Sequence, residues 1–402
     1  MIFLTAQIIF WLSVIALFYT YIGYPLFVYL YARFRPRQAK KGEFSPSVTV
    51  IITAYNEEKD IRTKLENTLA LDYPKEKLEI LVASDGSTDQ TDVIVKEFAP
   101  QGVRLFRQEG RLGKTMAQNT AVTLASGEII LFSDATTMYK PNVLQVLLPN
   151  FADETIGCAA GKLIYVNPND SGIGDGAQSY WNYETFLKQN ESRACSLIGV
   201  SGCLYAVRKS AYVPMYAEAC SDFLIATKVY EQGLRTIYEP DAVCTEETND
   251  QTKKEMRMRV RIITQTFTDL WRHRYMMNPF RSGFYAIQLI SHKVFRYSVP
   301  LFLLTALFSS GVTAYYSFFY AIIFLLQVVF YATAGVSWIL EKSGLRIRLL
   351  VLPQYFVLTN LASVIAAYQF LRGERYATWQ PIRSSSPETS QTKINVRQST
   401  QQ

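Results

Sequence analysis

Apolar and polar positions divide the chain into three unlike parts. Residues 1–32 carry no charged side chain, and at ~1.5 Å rise per residue two-thirds of that run crosses a ~30 Å hydrocarbon layer. Two more apolar stretches, about 294–338 and 349–371, lie near the other end. Between them the pattern is that of an ordinary water-facing domain. SVTVIITAYNEE is a run rich in β-branched residues, then a polar turn, then the helical spacing of IRTKLENTLAL. LEILVASDGSTDQTDVIVKEFA repeats strand, loop and helix, and KTMAQNTAVTLA with EIILFSDATTMY supplies another helix and strand. Strands alternating with helices at this spacing predict an α/β fold with a parallel sheet and right-handed crossovers. In such sheets ligands bind beyond the carboxyl ends of the strands.

Charge orients the apolar segments. The basic cluster Arg33, Arg35, Arg37, Lys40 and Lys41 follows the first run instead of preceding it. That order argues against a cleaved signal peptide and for a retained span with residue 33 onward inside the cell. The 294–338 stretch is too long for one crossing and reads as a helical hairpin with the uncharged tip SSGVTAYYS; EKSGLRIR, residues 341–348, is the basic inner loop. About three crossings within 294–372 would follow the domain. The last would place Arg372, Arg375 and Arg383 outside, so either 349–371, interrupted by Pro353 and Asn360, crosses incompletely or the number of spans is off by one. The expected organisation is a span at 1–32, a catalytic-type domain at 45–250, membrane-surface helices at 251–293, spans at 294–372 and a disordered polar tail at 384–402.

The formal net charge of +7 could suggest nucleic acid, but the excess sits in Lys253 to Arg261 and Arg272 to Arg281, beside the apolar segments. Anionic membrane lipid is the expected partner and nucleic acid is not. The five cysteines form no CxxC pair, so neither a disulfide framework nor a zinc site is indicated. No GxxxxGK[ST] or GxGxxG loop is present.

Three acidic loops are expected to converge on one rim of the sheet: Ala54, Tyr55, Asn56 and Glu57 at one strand end, Asp85 and Asp89 at the next, Asp134 at a third. Ser87, Thr88 and Asp89 have turn and N-cap chemistry as an ordinary explanation. Asp85, directly at its strand end, is the stronger candidate for ligand contact.

The blocks VTVIITAYNEE, ILVASDGSTDQT, GRLGKTMAQNTAV, LFSDATT, GVSGCLYAVRK and SDFLIATKVYEQGLRTIYEPDAV together resemble a family-2 glycosyltransferase of the GT-A fold over about residues 47–262. The flanking apolar segments resemble the membrane-embedded branch that includes cellulose and hyaluronan synthases. The resemblance implies an inverting transfer of sugar from a nucleotide donor, for which the family expectation is a uridine diphosphate sugar, to a lipid or saccharide acceptor. It implies that Ala54, Tyr55, Glu57 and Asp85 hold the nucleoside, that Lys114 sits by the base or diphosphate, and that Asp134 meets the ribose or a bridging metal. It also implies Asp222 as general base and Gly199, Ser201, Gly202 and Cys203 as the floor where acceptor meets donor. Inversion needs one carboxylate to take the acceptor proton, and charge building on the diphosphate needs a cation, with magnesium or manganese suited to oxygen ligands. A plain turn remains an alternative for the glycine block, and an N-cap for Asp222. Glu231 and Asp241 have ordinary explanations as a helix end and a turn.

Two departures stand out. The family's DxD pattern would place a second carboxylate at Thr136, so Asp134 and Thr136 predict weaker metal binding that leans on diphosphate and water. The QxxRW block is represented by MRVRI, with Met258 for Gln, Arg261 kept and Ile262 for Trp. Arg261 can still hold diphosphate oxygens, whereas Arg259 reads as a solvated or lipid-facing charge. Without the Trp, single transfer is favoured over processive synthesis. Tyr180, Trp181 and Tyr183 either line the acceptor path or fill core, and Glu184 and Glu191 read as structural. The expected activity is a glycosyltransferase at the inner face of a bacterial-type plasma membrane that builds a glycolipid or surface polysaccharide. The alternatives are a processive polysaccharide synthase and a catalytically silent nucleotide-sugar binder.

Overall fold

The computed structural model describes residues 2–166, 172–247, 252–343 and 347–379. The expected disordered tail at 384–402 lies outside them.

Among the described residues eight strands make one sheet in the order β3-β2-β1-β4-β7-β6-β8-β5. They are β1 (Val48–Ala54), β2 (Leu78–Ser84), β3 (Val103–Arg107), β4 (Ile129–Asp134), β5 (Met138–Tyr139), β6 (Ile156–Val166), β7 (Tyr205–Arg208) and β8 (Arg235–Glu247). β3, β2, β1 and β4 are mutually parallel, as the strand-helix alternation predicts. β7 then runs antiparallel to both β4 and β6, and β5 antiparallel to β8. The sheet is therefore mixed, and its antiparallel part was not predicted.

β1 shows why its sequence is an unbroken β-branched run. Every residue from Val48 to Ala54 is buried, because helices cover both faces of the sheet. Val48, Val50 and Ile52 pack with Ile61, Leu65 and Val95 on one side, while Ile51 packs with Ala117, Ala121, Leu224 and Ile225 on the other. The strand order reverses between β1 and β4, with Thr53 registered against Asp134. That reversal opens the crevice at the carboxyl ends.

Four helical stretches among the described residues are long and apolar enough to cross a membrane: Ile2–Phe34, Phe284–Ala314, Phe318–Glu341 and Leu349–Leu371. The segment 251–293 divides between a helix at Thr252–Arg272 and the start of the Phe284–Ala314 stretch. The first two stretches lie together, with Ser13 and Thr305 hydroxyls 2.7 Å apart and Tyr19 and Ser291 hydroxyls also 2.7 Å apart. The long Gly172–Ala194 helix links them to the domain. His292 bridges two of its carboxylates, with Nδ1 2.8 Å from Glu191 and Nε2 3.1 Å from Glu184. Tyr24 donates to Glu191 and Arg296 to Glu184. Glu184 and Glu191 are thus structural, as their sequence setting suggested.

Candidate active site

A cavity of about 600 Å³ opens at the carboxyl ends of β1 and β4 and runs toward the apolar helices. Glu57, Lys114, Asp134, Thr136, Gly199, Ser201, Gly202, Cys203, Asp222 and Arg261 all line it. Ala54, Tyr55 and Asp85 of the expected set do not.

Asp222 lies in the first turn of the Ser221–Glu231 helix, whose N-cap is Cys220. Capping in the strict sense is therefore excluded, although Oδ1 does accept from the Phe223 N–H at 3.0 Å and the Cys220 thiol at 2.9 Å. The loop before it is held by buried Asp269, which accepts from the Cys220 N–H at 3.0 Å and from Tyr216. Across the gap, Lys114 opens the Lys114–Leu124 helix and pairs with Asp134 at the end of β4. Burial opposes its charge, but Asp134 and Asp222 outweigh that and hold the ammonium pKa above its ordinary value.

Gly202 sits where these groups meet. A Cβ there would lie 3.2 Å from Lys114 Nζ and 3.3 Å from Asp222 Oδ2. The absent side chain is what leaves room between a cation and a carboxylate. Arg261 enters from the Thr252–Arg272 helix. It is drawn down by burial, partly offset by Cys220, Asp222 and Asp134 nearby.

Arg259 departs from its expected solvent or lipid exposure. It pairs with Glu255 at 2.7 Å and lies 4.7 Å and 4.9 Å from the ring centres of Tyr180 and Tyr355. Tyr180 and Trp181 line the cavity, while Tyr183 packs away against Tyr24 and Leu187. Ile262, in the place of the expected Trp, packs with Phe223 and Leu270.

Asp85 is fully buried and its carboxylate is already engaged. It accepts from Gln108 Nε2 at 2.6 Å, from the Leu112 N–H at 2.9 Å and from the Gly113 N–H at 3.0 Å. In this conformation it organises the 108–113 loop instead of facing the cavity. Burial pushes its pKa up, against those hydrogen bonds.

That loop meets a segment the sequence reading overlooked. Residues 376–379, beyond the last apolar helix, return across the domain. Gln265 Nε2 donates to the Tyr376 carbonyl at 2.8 Å, Arg111 donates to the Trp379 carbonyl, and the Trp379 ring stands edge-on to Tyr55 at 5.9 Å. The Arg111 guanidinium lies 3.9 Å over the Tyr55 ring. At Gly113, with φ +100°, a Cβ would run into the Ala377 carbonyl. The aromatic run YATW was the available signal.

A second overlooked residue stands beside Thr136. Thr136 Oγ1 donates to Glu246 Oε1 at 2.8 Å, and both line the cavity with Asp134. Glu246 arrives near the end of β8, where Thr245 pairs with Met138. Among the described residues no three acidic, His or Cys side chains gather around one point. Two carboxylates and a hydroxyl are hard oxygen donors, so the set fits magnesium or manganese bound jointly with ligand oxygens. Asp134, Thr136 and Glu246 would hold it.

Residues 49–213 match the description Glycosyl transferase family 2. The chain is 30% identical over 209 residues to poly-beta-1,6-N-acetyl-D-glucosamine synthase of Staphylococcus aureus (strain COL), covering 49% of each chain. It is 28% identical over 231 residues to the probable glycosyltransferase YdaM of Bacillus subtilis (strain 168), covering 54% of each. It spans about half the length of these curated relatives. Among solved structures, the mannosyltransferase PcManGT from Pyrobaculum calidifontis, in complex with GDP-Man and Mn2+, superposes with a TM-score of 0.67 at 25% identity, over 89% of this chain and 98% of that one.

Proposed function

We propose that this chain, a glycosyltransferase carrying a family 2 domain on the GT-A fold, moves a sugar with inversion from a nucleoside diphosphate donor to a hydroxyl-bearing acceptor at a membrane. The observation that carries the reading is the convergence of Lys114 Nζ and Asp222 Oδ2 on Gly202, inside one cavity with Asp134 and Arg261.

The residues divide the work by charge. Asp222 Oδ2 takes the proton from the acceptor hydroxyl, whose oxygen forms the new bond to the anomeric carbon. The bond from that carbon to the diphosphate oxygen breaks, and its electron pair leaves with the nucleoside diphosphate. Lys114 and Arg261 face the charge that builds there, the latter offering a planar fork of donors. A divalent cation held by Asp134, Thr136 and Glu246 supplies Lewis-acid stabilisation of the same charge when bound. The floor formed by Gly199, Ser201, Gly202 and Cys203 lets the acceptor come close to the base.

The relative from Pyrobaculum calidifontis binds GDP-Man and Mn2+, which supports a nucleotide sugar and a divalent metal here without choosing between uridine and guanosine. The basic cluster after the first apolar helix supports a domain on the cytoplasmic side of an inner membrane. Ile262 in place of an aromatic favours single transfer to a glycolipid or a saccharide over processive elongation.

The test is release of nucleoside diphosphate by membranes containing the full chain, screened over UDP and GDP sugars with product size recorded. Release with one donor class, a single added sugar, and a loss of ~10²-fold or more in Asp222→Asn are expected. Unchanged release in Asp222→Asn sinks the base assignment, and a product ladder restores processive synthesis.

A further inference from the structure

Besides Lys114 and Arg261, the cavity that holds Asp222 is lined by a second pair of cations. Lys188 comes from the Gly172–Ala194 helix and is 8% exposed. Its Nζ donates to Ser201 Oγ at 2.7 Å and lies 4.7 Å over the Trp181 ring. Lys293 comes from the Phe284–Ala314 stretch, and its Nζ lies 5.4 Å over the ring of Phe223, the residue after Asp222. Both lysines line the cavity; burial draws the Lys188 pKa down, Glu184 opposes that, and Lys293 adds to the lowering.

Neither lysine has an ion-pair partner among the described residues. Glu184 acts electrostatically on both lysines and Asp222 on Lys188, but the hydrogen bonds of Glu184 go to Arg296 and His292, and those of Glu191 Oε1 to His292 and Tyr24. Two like charges left facing one cavity are costly without an anion. Lys293 also sits in a π-helical turn, Ile290–Phe295, a local irregularity that often marks functional positions. An ionisable side chain on a helix apolar enough to cross a membrane points the same way.

We infer that Lys188 and Lys293 form an anion subsite for the acceptor, which is a lipid with a phosphate group close to its reacting hydroxyl. This rests on the transferase reading above. Asp222 shares the cavity with both cation pairs and acts electrostatically on Lys114 and on Lys188, so one pair would serve the donor phosphates and the other the acceptor phosphate, with the base within reach of both. The phosphate oxygens accept from the two ammonium groups. The acyl portion stays with the apolar helices that border the cavity, and the hydroxyl gives its proton to Asp222.

The experiment uses the full chain in phosphatidylcholine nanodiscs, titrated with short-chain phosphatidic acid, the matched diacylglycerol and inorganic phosphate. Tryptophan fluorescence, with Trp181 beside Lys188, reports binding, and nucleoside diphosphate binding is followed in parallel. Phosphatidic acid is expected to bind ~10-fold or more tighter than diacylglycerol. Lys188→Gln and Lys293→Gln should each erase most of that advantage, Lys293→Arg should keep it, and all should still bind nucleoside diphosphate. Should Lys188→Gln lose nucleotide binding through misfolding, the Lys293 pair of variants decides. Phosphatidic acid binding no tighter than diacylglycerol, or an advantage that survives Lys293→Gln, overturns the inference. Lysine-dependent binding of inorganic phosphate equal to that of phosphatidic acid overturns its lipid part. Indifference of sugar transfer to Asp222→Asn would instead strike the proposed mechanism and leave anion binding measurable.

Discussion

The hydroxyl of Thr136 donates to the carboxylate of Glu246 across 2.8 Å, tying the loop after β4 to the end of β8. The position expected to carry an acid thus borrows one from a strand more than a hundred residues later in the sequence. Glu246→Gln should weaken Mn2+ binding in the presence of nucleoside diphosphate by roughly tenfold, in the range seen when a metal's supporting groups are lost. Thr136→Asp in that background should recover part of it. Electron paramagnetic titration of free Mn2+ reads both directly, and equal affinities in wild type and Glu246→Gln would remove Glu246 from the site.

Gly202→Ala places a methyl group against the ends of Lys114 and Asp222, both flexible side chains. The fold should tolerate it, since neither neighbour is backbone. Turnover should not: the methyl shifts Lys114 and Asp222 by a few tenths of an ångström, and since a ~1 Å misplacement at reacting groups costs ~10²-fold, a loss of several-fold is expected. The expected signature is a fall in kcat with little change in thermal stability. A variant with wild-type kcat would mean that Lys114 and Asp222 do not act across this gap.

The returning segment makes a separate prediction about the donor. Trp379→Ala removes the ring that stands against Tyr55, a pair worth ~0.5–1.5 kcal/mol in other settings. Donor KM should rise about 2- to 12-fold with kcat nearly preserved. Gly113→Ala, which drives a methyl into the Ala377 carbonyl at a positive φ, should do more. An unchanged donor KM in both variants would leave the segment a purely structural brace.

Lys64 lies beneath the loop that carries Asp134 and Thr136, donating to the Thr137 carbonyl at 2.7 Å, and burial pushes its pKa down to about 7. An unfolded lysine titrates near ~10.4. Between about pH 7 and 10 the unfolded chain therefore holds a proton that the folded chain has released, and stability rises with pH. The apparent Tm of wild type minus that of Lys64→Met should climb from pH 7 to pH 9 and be level below pH 6. A level difference throughout would show that Lys64 keeps its proton in the fold.

Three of the four parallel strands, β1, β2 and β4, could be read from sequence because each is six or seven residues long, rich in apolar and β-branched residues and followed by a polar loop, whereas the five-residue β3 was not. β5 and β7 span two and four residues, too short for any periodicity to register. Asp134, at its own strand end, was singled out the same way, whereas Lys114 and Asp222 were named only through the family resemblance, and the cavity lining includes all three. Asp85 met the same criterion, yet the 108–113 loop wraps it, and a loop's path is not written in hydrophobic spacing. Glu246 drew no attention in the sequence, because only the register of β8 against β5 and β6 brings it to Thr136. Arg259 matched a surface charge stripe until Tyr180 and Tyr355, from distant helices, closed over it. Residues 376–379 were passed over beyond the last span; YATW shows aromatic character, but that does not record that the chain turns back.

The clasp formed by His292 between Glu184 and Glu191 fixes more than packing. It joins the helix bearing Lys188 to the helix bearing Lys293, so the cleft keeps a constant elevation over any bilayer those apolar helices enter. A molecule anchored in that bilayer is then measured by its reach. On the proposed lipid acceptor and the proposed base, only a headgroup whose hydroxyl stands at the height of Asp222 would react, and the distance between tail and reacting oxygen would act as a ruler for selecting substrates.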